Sequence, residues 1–220
     1  MTEPIDTSSL VDRVYEYLLD QIVSGVIKYG ESISIKNIAA ALNVSTMPVR
    51  EAVKRLEYDQ VLTVRPRSSC RVRVPSPRMI DEVYELREVL ELYAVRKSAG
   101  RVEPEALARL HRIVDRMYAL SRSGDESLQE KEAAELDREF HFELCALAKN
   151  DFLNHFYRQL SLHANMTLIH EKTYHLLQGD WPDVHAHILD CLEKDPDTAL
   201  EALQHHFSNV TNLLTRTKPD

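Results

Sequence analysis

Apolar side chains at Val11, Val14, Leu18 and Ile22 recur every three or four residues, so the first regular stretch, 9–24, reads as one amphipathic helix. Ser9 followed by Asp12 suits a capping box at its start, and Gly25 suits its stop. A second helix is predicted from Ser34 as cap and Ile35, Ile38, Ala39 and Leu42 as inner face, with Asn43 as the left-handed residue that ends it. After a very short turn, Ser45 caps a third helix. Pro48 falls in its first turn, where the missing backbone donor does little harm, and Val49, Ala52, Val53 and Leu56 form its buried stripe. Two helices joined so tightly are a helix-turn-helix. Val61–Val64 and Val72–Val74 then read as short strands around a basic turn, Arg65-Pro66-Arg67-Ser68-Ser69, which makes the segment a winged helix.

Beyond residue 78 the periodicity is helical throughout. Stretches at 78–100, 103–122, 126–149, 151–178, 182–194 and 196–216 are separated by Gly100, Gly124, Asn150, Gly179-Asp180 and Asp195-Pro196. Connections this short suit an antiparallel bundle. The expected fold is therefore mostly α: an N-terminal winged helix-turn-helix over 1–75 and a C-terminal all-helical antiparallel bundle over 78–220. Pro75-Ser76-Pro77 is the linker between them.

Composition sharpens this division. The 220 residues are 44% hydrophobic and 28% charged, the balance of an ordinary globular protein. No apolar run approaches the roughly 18 residues of a membrane span, and the first ten residues lack the pattern of a signal peptide. Three isolated cysteines, Cys70, Cys145 and Cys191, fit a reducing cytoplasm better than a disulfide framework. The net charge of −8 argues against nucleic acid only until it is divided along the chain. Residues 1–75 carry ten basic and nine acidic side chains, and residues 45–73 carry seven basic against three acidic. A phosphate-binding surface needs only such a local excess. All ten histidines lie between His111 and His206, in the other segment.

Two sets of residues carry candidate chemistry. On the third helix Thr46, Arg50 and Lys54 recur every four residues and share an outer side, with Met47 beside them. Hydroxyls at Ser45 and Thr46 and the free N–H groups of a helix start suit phosphates, and Arg50 can fork onto a guanine edge or a phosphate. The alternative is a solvated charged face. In the second segment Asp137 and His141 are four apart, about 40° around a helix, so both can reach one metal ion. His185 and His206 can meet them from the last two helices, giving one carboxylate oxygen and three imidazole nitrogens. Spacing alone leaves these as ordinary core or surface histidines, with His111, His155, His163, His170, His175, His187 and His205 as competitors. Arg87 lies among Val83, Leu86, Val89 and Leu90 and either pairs with Glu91 at the surface or turns inward.

Both segments resemble a known family. Val44-Ser45-Thr46-Met47-Pro48-Val49-Arg50-Glu51-Ala52 is similar to the recognition-helix signature of GntR-type bacterial transcription regulators, a match running through 10–74. Residues 78–216 resemble the FCD effector domain of the FadR subgroup, through Tyr84-Glu85-Leu86-Arg87, Asp137-x-x-Phe140-His141, His185-x-x-Ile188-Leu189 and Leu203-x-x-His206-Phe207. The resemblance implies contacts to double-stranded operator DNA from Lys36, Ser45, Thr46, Met47 and Arg50. The wing residues Arg65 and Arg67 would add to them beside Lys54. It implies a divalent metal on Asp137, His141, His185 and His206, zinc by preference for these donors, with nickel, manganese or iron also fitting. It implies an effector pocket into which Arg87 and Asn165 project. Thr46 stands where the family usually has arginine, Gln60 and Ser69 where it usually has glycine, and Val184 where an acidic residue usually precedes the third ligand. The His185–His206 interval is about one residue short, which leaves His205 as a competitor of His206.

The function expected is a ligand-responsive repressor. As a homodimer it would place two recognition helices on a near-palindrome and sense a small carboxylate or hydroxy acid held by metal and arginine. The rival readings are a direct sensor of the metal ion and a metalloenzyme with a DNA-binding head. Catalytic zinc usually has three protein ligands and an open position, so four ligands without a general base count against the enzyme.

Overall fold

The computed structural model describes residues 9–65, 69–123, 126–171 and 181–216. The chain divides into two compact units, Met1–Val74 and Pro75–Asp220.

In the first unit α1 (Leu10–Val23) starts on a complete capping box, in which Ser9 and Asp12 satisfy each other's backbone N–H groups. Its buried side chains, Val14, Leu18 and Ile22, pack against α3 (Thr46–Tyr58), which buries Pro48, Val49, Ala52, Val53 and Leu56. Between them α2 (Ile35–Ala41) is capped by the Ser34 hydroxyl, and Asn43, at φ 53°, turns the chain into α3. Ser45 occupies the N-cap position of α3, but its side chain makes no capping hydrogen bond.

The wing is an antiparallel pair, β1 (Leu62–Arg65) with β2 (Ser69–Val72), in a register that sets Leu62 opposite Val72 and Arg65 opposite Ser69. The second strand thus begins and ends earlier than the valine pattern suggests. Cys70 and Val72 are the inward positions, while Val74 is exposed. Gln60 leads into β1 at φ 60°, a conformation that glycine adopts without penalty and glutamine does not.

The second unit comprises α4 (Pro77–Ser98), α5 (Pro104–Ser121), α6 (Glu126–Ala146), α7 (Asp151–Glu171), α8 (Trp181–Lys194) and α9 (Pro196–Arg216). Ser76 caps α4 ahead of Pro77, and Pro104 opens α5, both in the first turn where proline fits. Helix α4 packs against α6, α7 and α9, and α5 against α6 and α8. Ile80, Val83, Tyr84, Leu110, Met117, Leu136, Phe140, Ile188, Leu189, Leu203 and Phe207 fill the space they enclose. The stripe of α4 that faces this core continues through Arg87 and Glu91, both buried.

Candidate nucleic-acid interface and metal centre

The outer side of α3 is open. Ser45, Thr46, Met47, Arg50 and Lys54 are all exposed, as is Lys36 on α2. Met47, in the first turn of the helix, keeps 66% of its surface in water although Pro48 and Val49 after it are buried. Lys54 is drawn to Glu51, Nζ to Oε1 2.7 Å, so part of its charge is answered within the helix. Arg55, one residue on, turns the other way to Asp12 and lies over the Tyr15 ring, tying α3 to α1. Two further cations are anchored: Arg71 donates to the Gly30 carbonyl and Arg73 to the Gln60 side chain. Arg65 is exposed at the end of β1, and Arg67 lies outside the described residues.

In the second unit α6 presents Asp137 and His141 one turn apart, α8 presents His185 and α9 presents His206. One potential ligand atom from each of these four lies within 4.8 Å of the others. Donors held ~2.0–2.2 Å from a common tetrahedral zinc ion stand ~3.3–3.6 Å apart, so these four atoms draw in by about an ångström to fill such a site. Asp137 Oδ1 is 3.2 Å from His185 Nε2 and 3.7 Å from His141 Nε2. The three rings are packed together, His141 stacked on His206 at 4.9 Å and His185 edge-on to both, with Phe140, Trp181 and Phe207 around them.

The outer nitrogens of two rings are fixed. His185 Nδ1 donates to the Trp181 carbonyl at 2.7 Å, because a carbonyl can only accept. His141 Nδ1 lies 2.6 Å from Glu91 Oε2. Burial pushes the Glu91 carboxyl up, but the facing His141 and Arg87 outweigh it and hold it below the ordinary value. Glu91 is thus a carboxylate, and Nδ1 of His141 is the donor. Both rings therefore turn Nε2 toward Asp137, and both Nε2 atoms are buried without a hydrogen-bond partner. Burial, then the neighbouring His141 and His185, push His206 well below the usual histidine range, so its ring is neutral. Asp137 is pushed up by burial but held well below the carboxylate range by His141, His185 and Arg87. Three imidazoles and a carboxylate, with two buried Nε2 atoms that find no hydrogen-bond partner among them, are a donor set that suits a divalent cation.

Beside the cage a small recess is lined by Arg87, Ala134, Asp137, Arg138, Tyr157, Ser161 and Ala164. Arg87 is buried. Its Nε donates to Glu91 Oε1 at 3.3 Å and to the Tyr157 hydroxyl at 3.2 Å, and its guanidinium lies over Tyr84 and Phe207. The Tyr157 hydroxyl donates to the same Glu91 oxygen at 2.5 Å.

Residues 10–72 match the family model of bacterial regulatory proteins of the gntR family, and residues 82–209 match the FCD domain. The chain belongs to the GntR family and carries an FCD domain. It is 30% identical over 196 residues to the Nta operon transcriptional regulator of Aminobacter aminovorans, covering 84% of this chain and 87% of that protein. It is also 33% identical over 117 residues to the HTH-type transcriptional regulator McbR of Escherichia coli, 53% of either chain. The solved structure of E. coli McbR/YncC superposes with a TM-score of 0.78 at 25% identity, covering 96% of this chain and 99% of that one. A structure titled as a putative transcriptional regulator GntR from Rhodococcus sp. RHA1 gives a TM-score of 0.83 at 24% identity, a likeness of fold. The curated relatives are named as regulators of transcription rather than as enzymes, and this GntR-family chain is one as well.

Within the FCD domain the structure brings Asp137, His141, His185 and His206 together. Of the competing histidines, His205 pairs with Asn209 and His187 with Cys191 on the exposed side, while the side chains of His170 and His175 lie outside the described residues. The surface pairing considered for Arg87 is corrected. The partner is indeed Glu91, but both side chains are buried, because the stripe of α4 they occupy faces the core. Asn165 lies on α7 with its side chain outside the described residues. Glu91, Tyr157 and the Trp181 carbonyl were missed from sequence. With Val184 where the family has an acid, a backbone carbonyl orients His185 instead. A signal for Glu91 exists in the chain: Tyr84, Arg87, Glu91, Ala94 and Ser98 follow the three-and-four spacing of a buried face. No helix among the described residues is long and apolar enough to cross a membrane.

Proposed function

We propose that the protein is a dimeric repressor that binds a near-palindromic operator and releases it when a small carboxylate or hydroxy acid enters the recess beside a cation held by Asp137, His141, His185 and His206. The observation that carries this reading is the pair of buried, partnerless Nε2 edges facing Asp137, a carboxylate that also lines a recess containing Arg87. A divalent ion, zinc by preference for these donors and nickel, manganese or iron as substitutes, supplies a Lewis-acidic centre for a carboxylate oxygen. Arg87 adds positive charge on the same side, and Asp137 keeps the cage from excess charge. In the N-terminal unit Arg50 reads a base edge or grips a phosphate. Ser45, Thr46, Met47, Lys36, Lys54, Arg65 and Arg67 position the helix and wing on the duplex. Coupling of ~1–3 kcal/mol between the two sites changes operator affinity roughly 5–150-fold.

A second reading is favoured by one feature. Arg87 Nε is already committed to Glu91 and Tyr157, which suits a domain whose signal is the cation itself. An operator selected by the protein from random duplexes, titrated by fluorescence anisotropy, separates the two. The repressor reading expects organic acids to lower operator affinity in zinc-loaded protein and to do nothing in chelator-stripped protein. An acid acting equally on both forms overturns the metal-held effector, and a response to zinc alone selects the metal sensor.

A further inference from the structure

We propose that Glu91 is the positioning residue that ties the cage to the recess. One of its oxygens fixes His141, and the other is held by two groups on the recess wall, Tyr157 and Arg87. The inference rests on the metal reading above and adds to it a route between the two sites.

Glu91 has no exposure to water at all, and a carboxylate taken out of water persists only if its lone pairs are answered. Its three partners come from different helices and belong to two places. His141 on α6 is a cage residue, whereas Tyr157 on α7 and Arg87 on α4 line the recess. The division of the two oxygens gives the carboxylate its orientation. The 2.5 Å bond from Tyr157 holds Oε1 in place, and Oε2 is thereby aimed at Nδ1 of His141. With the Tyr157 hydroxyl gone, Glu91 is free to turn toward Arg87, and His141 loses the acceptor that keeps its proton on Nδ1. His185 has a different device, the backbone carbonyl of Trp181, a residue that does not line the recess. The cage is therefore half fixed by backbone and half by a side chain that feels the recess. Whatever draws Arg87 or Tyr157 away from Glu91 changes the presentation of His141, and by linkage filling the cage changes the recess.

The test uses the full-length chain and zinc alone, with affinity read by competition against a chromophoric chelator and with 15N spectra of the histidine rings. Glu91→Met should weaken zinc about 10–100-fold and scramble the His141 tautomer in the metal-free protein, while leaving that of His185 intact. Glu91→Gln, which keeps an acceptor, should restore most of the loss. Tyr157→Phe should weaken zinc about 3–10-fold in the parent and not at all in the Glu91→Met background. Undiminished zinc affinity in folded Glu91→Met, or a loss in Glu91→Gln as large as in Glu91→Met, overturns the positioning role. An equal Tyr157→Phe effect in both backgrounds overturns the route to the recess. A parent protein that takes up no zinc removes the metal reading itself, and the inference with it.

Discussion

The two units put their chemistry on opposite sides of their helices. In α3 the apolar stripe faces inward, and the polar residues Thr46, Arg50 and Lys54 stand in water with Ser45 at the N-cap. In α4, α6, α8 and α9 the polar residues that matter, Arg87, Glu91, His141, His185 and His206, lie on the buried side among Phe140 and Phe207. An outward polar face costs nothing to hold and waits for a partner. An inward one persists only if each group is answered by another, so it becomes a network in which each member constrains the next. Removing a group from the first unit should therefore cost binding and leave the fold alone, whereas removing one from the second should cost both.

The strongest test of that contrast is Arg87→Met. It leaves Glu91 buried with one cation fewer and should destabilise the second unit by about 3–5 kcal/mol in urea unfolding. A loss below 1 kcal/mol would mean that the network does not answer its own charges. Next comes His141→Ala, expected to weaken zinc by more than the ~100-fold lost when only an orienting partner is removed. Competition with a chelator measures it, and unchanged affinity would exclude His141 from the cage. On the exposed side Arg50→Ala should lower operator affinity by about 1–3 kcal/mol while the melting temperature stays put. A shift in melting without a loss of binding would reverse the contrast.

Acid provides a graded probe. His206 is held below its ordinary value near 6.5 in the folded chain but takes up a proton there once unfolded. Between those two values the unfolded state binds more protons. Stability of the metal-free protein should therefore fall as pH drops below about 6.5, by up to ~1.4 kcal/mol per pH unit. Asp137 and Glu91, both held below their usual values, add to the loss only at still lower pH. Denaturant melts at several pH values check the slope, and a flat profile from 6.5 to 5 contradicts a buried neutral His206. The smallest effect belongs to the hinge before β1. Gln60→Gly should stabilise by about 0.5–1 kcal/mol, the left-handed penalty partly offset by the lost bond from Arg73.

The same contrast explains what could be read in advance. The helix-turn-helix was legible because its amphipathic period and its caps, Ser9, Ser34 and Asn43, are local signals that packing did not overrule. The strand limits were less so, since Val72–Val74 alternates as well as Ser69–Val72 does and only the pairing with Leu62 decides the register. In the second unit the Asp137–His141 pair is a local spacing. Joining it to His185 and His206 needed the resemblance, because three separate helices deliver the ligands. Glu91 escaped because Arg-x-x-x-Glu is the ordinary surface pair of a helix. Its burial follows from the phase of Tyr84 and Ala94 on either side, a signal weaker than the charge it contradicts.

The claim on which the rest depends is that four side chains from three helices hold one divalent ion in each chain. Native mass spectrometry of freshly purified protein reports subunit number and bound metal together. Two chains carrying one ion each are expected, with an ion-free species for His141→Ala. A parent protein that flies without metal, or a His141→Ala variant that keeps its full complement, would contradict it.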